Sequence, residues 1–212
     1  MALDAKRSSS LENLLSLLPH LGQARNLGAH SHSTPRLGAT QSRKKKAPTA
    51  AIIDSQSVRT ASHPGIRGYD AGKKITGRKR HALVDTLGFI LLLQVTSADV
   101  QDRDGARLLL LEKLQNTFGW LRVIWADGGY TGKLVGEIAA IIRHLKVKLE
   151  IIKRSDDVKG FKILPKRWIV ERTFGWLIQS RRLVRDYEVL PLHSESMIYL
   201  SMSKRMLRRI TD

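Results

Sequence analysis

The sequence contains no cysteine. Disulfide scaffolds, thiolate-bound zinc, iron–sulfur clusters and cysteine nucleophiles are thereby excluded. It also lacks any apolar run near the roughly 18 residues of a membrane span. Its longest runs, 88–95 and 108–111, suit a buried strand and a core helix. The stretch 11–18 is too polar for a signal-peptide core and no A-x-A-like site follows it, so a cytoplasmic location is expected. Acidic residues are scarce. Asp and Glu total 19 against 37 Lys and Arg, a formal net charge of +18 over 212 residues. A surface this basic calls for a polyanion, and nucleic acid is the first expectation, with no membrane and no small-molecule substrate.

What is present is globular in composition. The chain divides near residue 49. Residues 1–49 read as an irregular basic arm. It carries one short amphipathic stretch at 11–18 and the run Arg43-Lys44-Lys45-Lys46, either a solvated tail or a phosphate-tracking segment. From residue 50 the segments alternate. Strands are expected at 50–54, 78–85, 89–97, 122–127 and 148–152, with Thr86-Leu87-Gly88 turning a hairpin between the second and third. Residues 65–77 read as a loop rich in Gly and Lys. Helices are expected at 102–118, 132–145, 165–185 and 194–209, the third entered through Pro165. The order β-β-β-α-β-α-β-α-α predicts an α/β fold, a mixed five-stranded sheet flanked by helices, and is the order of an RNase H-like domain.

Three carboxylates sit in apolar company. Asp54 follows Ala51-Ile52-Ile53, Asp127 follows Val123-Ile124-Trp125-Ala126, and Glu171 lies among Trp168, Ile169, Val170 and Phe174. Charges there are costly unless paired, hydrogen-bonded or bound to a cation. In this strand order the first and fourth strands are neighbours, which brings the two Asp together, and the helix after the fifth strand can bring Glu171 to the same edge. Such an oxygen-rich cluster suits Mg²⁺ or Mn²⁺, and two ions would clamp the attacking and leaving oxygens of a phosphodiester. Each acid also has an ordinary reading. Asp54 can cap a turn, Asp127 can open one, and Glu171 can pair with Arg167 one helical turn earlier.

The bases gather in two places. Lys73, Lys74, Arg78, Lys79 and Arg80 surround the second strand, Arg78 and Arg80 on one face and Lys79 on the other. They form either a charged edge or a phosphate-tracking rim. Arg167, Arg172 and Arg182 lie along the long helix. Trp125 and Trp168 are expected in the core.

Several stretches carry a family resemblance. They are Ile52-Ile53-Asp54-Ser55-Gln56-Ser57-Val58, Gly68-Tyr69-Asp70-Ala71-Gly72-Lys73-Lys74, Gly77-Arg78-Lys79-Arg80-His81, Asp99-Val100-Gln101-Asp102-Arg103-Asp104, Trp125-Ala126-Asp127-Gly128-Gly129-Tyr130 and Arg167-Trp168-Ile169-Val170-Glu171-Arg172. Together they resemble a bacterial insertion-sequence transposase of the DDE type, in the IS-five-like group of the wider IS-four-type superfamily. The resemblance implies that 50–212 is an RNase H-like catalytic domain using two divalent ions, with Asp54, Asp127 and Glu171 as the triad. It implies DNA partners, namely the element's inverted-repeat ends and the target, and the pairing of ends makes a homodimer plausible. Two departures stand out. In the superfamily pattern Y-x2-R-x3-E-x6-K, Arg167 and Glu171 fit, but the Tyr position is Leu164 and the Lys position is Ile178. Arg182, eleven residues past Glu171 on the same face of a continuous helix, is the expected substitute. Residues 1–49 do not resemble the helical region that such transposases use to bind element ends. The alternative reading is therefore a truncated, inactive copy that binds DNA or inhibits an intact transposase.

Overall fold

A computed structural model describes residues 49–62, 65–113, 118–131, 136, 140, 142, 146–152 and 166–211. The arm expected over 1–49 lies outside these residues except for Thr49, as do Leu164, Pro165 and most of the helix expected over 132–145. Six strands form one sheet: β1 (Ala50–Arg59), β2 (Gly68–Asp70), β3 (Ile75–Asp85), β4 (Ile90–Ser97), β5 (Val123–Asp127) and β6 (Lys148–Ile152). Helices α1 (Asp102–Lys113), α2 (Trp168–Ile178) and α3 (Pro191–Thr211) accompany it.

The sheet runs β2-β3-β1-β5-β6, with β4 also paired to β3. The β1–β3 and β3–β4 pairs are antiparallel, and β1–β5 and β5–β6 are parallel. This is the expected mixed RNase H-like sheet with helices against it. The hairpin closes where the sequence places it. Gly88 takes a φ of 87° there, which a side chain rarely adopts, and the Asp85 carboxylate accepts the Leu87 and Phe89 amides at 2.8 Å.

Alternation along the strands builds two cores. On one face Ile52, Ala82, Val84 and Val95 meet Ile169, Val170, Phe174 and Leu177 of α2 and Ile198, Tyr199 and Met202 of α3. On the other, Ala51, Ile53, Leu83 and Ile124 meet Ala106, Leu109 and Leu110 of α1. A fully buried Leu or Ile side chain contributes about 1.5–3 kcal/mol, so each face is anchored independently.

Three expectations are corrected. The first strand does not stop at Asp54; it continues to Arg59, because β3 pairs with it as far as Gly77. The loop expected over 65–77 holds β2 and the start of β3, with Gly68 opposite Gly77. The long helix ends at Ile178. A separate 3-10 turn over Arg181–Leu183 follows it, and Ser180 binds Ser201 of α3 through their hydroxyls at 2.7 Å.

Candidate active site

Asp54 and Asp127 lie on adjacent parallel strands. The register pairs Ile52 with Trp125, so two residues further along Asp54 stands beside Asp127. Both side chains take the α2 face, the parity of Ile52 and Trp125. Each aspartate is fixed through one oxygen by a nearby backbone amide: Ser55 N–H donates to Asp54 Oδ1 at 2.8 Å, and Gly129 N–H donates to Asp127 Oδ1 at 2.9 Å. The latter bond caps the 3-10 turn Gly128–Tyr130, and a Cβ on Gly129 would come within 3.1 Å of that same oxygen. In both cases Oδ2 is left facing the start of α2.

There it meets Arg167. One guanidinium nitrogen, Nη2, lies 3.7 Å from Asp54 Oδ2, 3.4 Å from Asp127 Oδ2 and 4.0 Å from Glu171 Oε1. Glu171 sits one helical turn beyond Arg167 with its side chain 60% exposed, so it forms the solvent rim of the site. The structure thus brings the three expected acids around a single cationic point. Burial pushes the Asp54 carboxyl up to about 6, although the Ser55 amide and Arg167 oppose this, while the Asp127 charge adds to it. Such a carboxylate is short of positive charge.

The donor set is carboxylate oxygen throughout, the chemistry that hard divalent cations take. The acids surround Arg167 rather than one another: among the described residues, no three Asp, Glu or His side chains lie close enough together to hold an ion as they stand. A cation on these oxygens would take the place of the guanidinium. Tyr130 lies behind the pair, buried with its hydroxyl unpartnered among the described residues, and burial and the Asp54 charge raise its pKa well above the usual value.

A family model described as a transposase DDE domain matches residues 45–201. The chain belongs to that family. Among curated proteins, no sequence matches the chain. The transposase match covers every strand and α2 and ends within α3, so it spans the strands and the helix that build the carboxylate cluster. Membership places the chain among transposases, enzymes that act on DNA with divalent metals. Among the described residues, no helix is long and apolar enough to cross a membrane.

The bases expected to track DNA divide. Lys73 and Lys74 are exposed, and Lys73 Nζ lies 3.3 Å from the Ser55 carbonyl, close behind Asp54. Arg78 and Arg80 are corrected: both are fully buried and cannot reach a phosphate. Arg78 pairs with Asp186 at 3.2 Å and donates to the carbonyls of Ile66, Glu188 and Val189. Arg80 donates to Gln56 Oε1 and the Leu183 carbonyl, and burial pulls its pKa down to about 10. They fasten the segment after α2 onto β3, an interior strand and not a charged edge. Lys79 is also buried, between Asp70 and Asp102. Arg182 is exposed but stands in the 3-10 turn, beyond the end of α2, and is held by both Nε and Nη2 on Glu188. Trp168 is corrected as well, being 44% exposed. Lys166 was missed; its ammonium lies 3.8 Å from the Trp125 ring centre beside Asp127's strand.

Proposed function

We propose that this chain cuts DNA at the inverted-repeat ends of a mobile element and joins the freed 3′ hydroxyl to target DNA, as an IS-five-like transposase. The observation that carries this reading is the convergence of Asp54, Asp127 and Glu171 on one cationic point. Two divalent ions held by these carboxylates would activate the attacking oxygen and stabilise the leaving one. The chain's own residues supply the frame. Backbone amides of Ser55 and Gly129 hold each aspartate by one oxygen and leave the other to ligate. Glu171, on the rim, closes the set from the helix side. Arg167 neutralises the cluster and, once its place is taken, turns its fork toward a phosphate of the scissile strand. Lys73, Lys74 and Arg172 carry the flanking backbone, and Arg182 does so at a greater distance.

The test is cleavage of an end-labelled duplex bearing the neighbouring element end, with Mg²⁺, by the wild type and by Asp127→Asn. Cleavage at the end that falls by about 10³-fold or more in the variant, some 4 kcal/mol of transition-state stabilisation, supports the reading. Binding in the variant should persist, because it removes a negative charge. No cleavage by the wild type, with salt-sensitive binding retained, would assign the chain instead as an inactive DNA-binding copy.

A further inference from the structure

Glu171 and Arg167 occupy one stripe of α2. The neighbouring stripe carries Trp168, Arg172 and Trp176, one per turn. Arg172 lies between the two indoles, its guanidinium carbon 4.5 Å from the Trp168 ring centre and 4.8 Å from that of Trp176. Across from α2, the guanidinium carbon of Arg205 of α3 lies 4.1 Å from the Trp176 ring centre. Arg209, one turn further, covers Phe89 of the hairpin at 5.5 Å, and Phe89 touches Trp176. The result is a ladder of alternating indoles and guanidiniums that starts at the carboxylate cluster and runs about 12 Å along α2, then crosses to α3.

Among the described residues, the charges of this ladder outnumber the acids beside them. Among the described residues, no carboxylate forms an ion pair with Arg172, Arg205 or Arg209. Asp85, which acts on Arg172 and Arg209 from nearby, is buried, and its Oδ1 already accepts two turn amides. Burial and then the neighbouring arginines hold Arg205 below the usual guanidinium range. The polar partners are neutral: Arg172 donates to the Leu87 carbonyl at 2.8 Å, and Arg205 reaches Gln179 Oε1 at 3.4 Å. Stacking fixes the plane of each guanidinium and leaves edge N–H groups for an outside acceptor. Crowded, planar cations with no carboxylate ion-paired to them among the described residues fit a row of phosphodiesters.

We infer that the Trp168–Arg172–Trp176–Arg205 ladder, continued by Arg209, is a docking surface for the phosphate backbone of duplex DNA running out of the catalytic cluster. The inference rests on the proposed DNA reaction for its setting, but it is tested without it. About 12 Å of ladder matches three to four base-pair steps, so two or three phosphates would be engaged.

The experiment uses the full chain, a fluorescein-labelled duplex of arbitrary sequence, EDTA, and anisotropy titrations over a range of KCl. The double variant Arg172→Gln/Arg205→Gln should bind at least about tenfold more weakly, and its slope of log affinity against log salt should fall by about 2. Arg209→Gln, near the exposed end of α3, should lower the slope by about 1 and serves should the double variant fail to fold. Trp168→Ala should weaken binding a few-fold with the slope kept, because the charge remains but loses its support. Arg103→Gln, on α1 across the sheet, should change affinity less than twofold. An unchanged slope in the arginine variants, or an equal loss from Arg103→Gln, would overturn the inference. Asp127→Asn separates the two proposals: it should keep the wild-type slope while losing cleavage. A wild type that binds with the expected slopes yet cuts nothing sinks the reaction and leaves the surface standing.

Discussion

Two acidic clusters stand on opposite faces of the central strands, each built around one cation. Behind β1, Lys79 lies 3.0 Å from Asp102, 3.4 Å from Asp70 and 2.7 Å from the Val100 carbonyl. Asp70 also accepts the Ser57 hydroxyl and the Lys73 amide. In front of β1, Arg167 faces Asp54, Asp127 and Glu171 at 3.4 to 4.0 Å, beyond good hydrogen-bond range. The titration behaviour separates them. Burial pushes the Asp70 carboxyl up, but Ser57, the Lys73 amide and Lys79 outweigh it and hold it down at about 2. Burial drives Asp54 up to about 6, because its partners are too few and too far away to offset it. A carboxylate that is fully partnered serves the fold. One that is oriented but under-neutralised is set to take a cation from outside.

Removing the inner cation should give the largest effect on stability. Lys79→Met leaves Asp70 buried without its cation and Asp102 half-buried without it, and losing one partner of a buried pair costs about 3–5 kcal/mol. In a chain of this size that is a fall in Tm of about 10 °C. Thermal unfolding in EDTA measures it. A fall of only a degree or two would show that the inner cluster is no more structural than the outer one.

The outer cluster should respond with the opposite sign. The folded-state pKa of Asp54 lies above its ordinary 3.8. The folded chain therefore binds more protons between about 3.8 and 6, and wild-type stability gains as pH falls through that window. Above it, a buried charge penalises the fold. Asp54→Asn removes the penalty and should stabilise the metal-free protein at pH 7.5 by about 1–3 kcal/mol, while abolishing cleavage. Unfolding in EDTA at several pH values checks this. The advantage should be full above pH 6 and gone near 3.8. A variant that is destabilised at pH 7.5 would mean that Asp54 is satisfied as it stands.

The sequence made the outer cluster legible and hid the inner one, for physical reasons. Asp54 and Asp127 interrupt apolar strand runs, and strand order alone makes those strands neighbours. Glu171 follows from its place on a helix against them. The buried bases could not be read the same way. Alternation shows that Arg78 and Arg80 share a face, but not that the segment 183–189 covers it. That cover depends on Asp186 and on carbonyls more than a hundred residues away. The end of α2 was equally hidden, since Ile178-Gln179-Ser180 holds neither glycine nor proline and the chain turns to meet α3. The spacing of Trp168, Arg172 and Trp176 was in plain view. With Trp168 read as a core aromatic, that spacing gave no hint of the arginines that α3 brings alongside.

The smallest effect on stability should come from the outer cation itself. Arg167 is partly exposed, its pairs are long, and pairs of that kind contribute less than about 1 kcal/mol. Arg167→Gln should therefore shift Tm in EDTA by no more than about 3 °C. Its consequence should lie in competition. With the guanidinium gone, the three acids lose their nearest described cation, and Mg²⁺ should bind more tightly than in the wild type. At ten times its dissociation constant, a bound ion adds about 1.4 kcal/mol, or about 4 °C. The rise in Tm on adding Mg²⁺ should be greater for Arg167→Gln than for the wild type and absent from Asp127→Asn. An equal rise in all three proteins would place the ion elsewhere. A loss of stability as large as that of Lys79→Met would make Arg167 a structural cation, and the contrast between the two clusters would collapse.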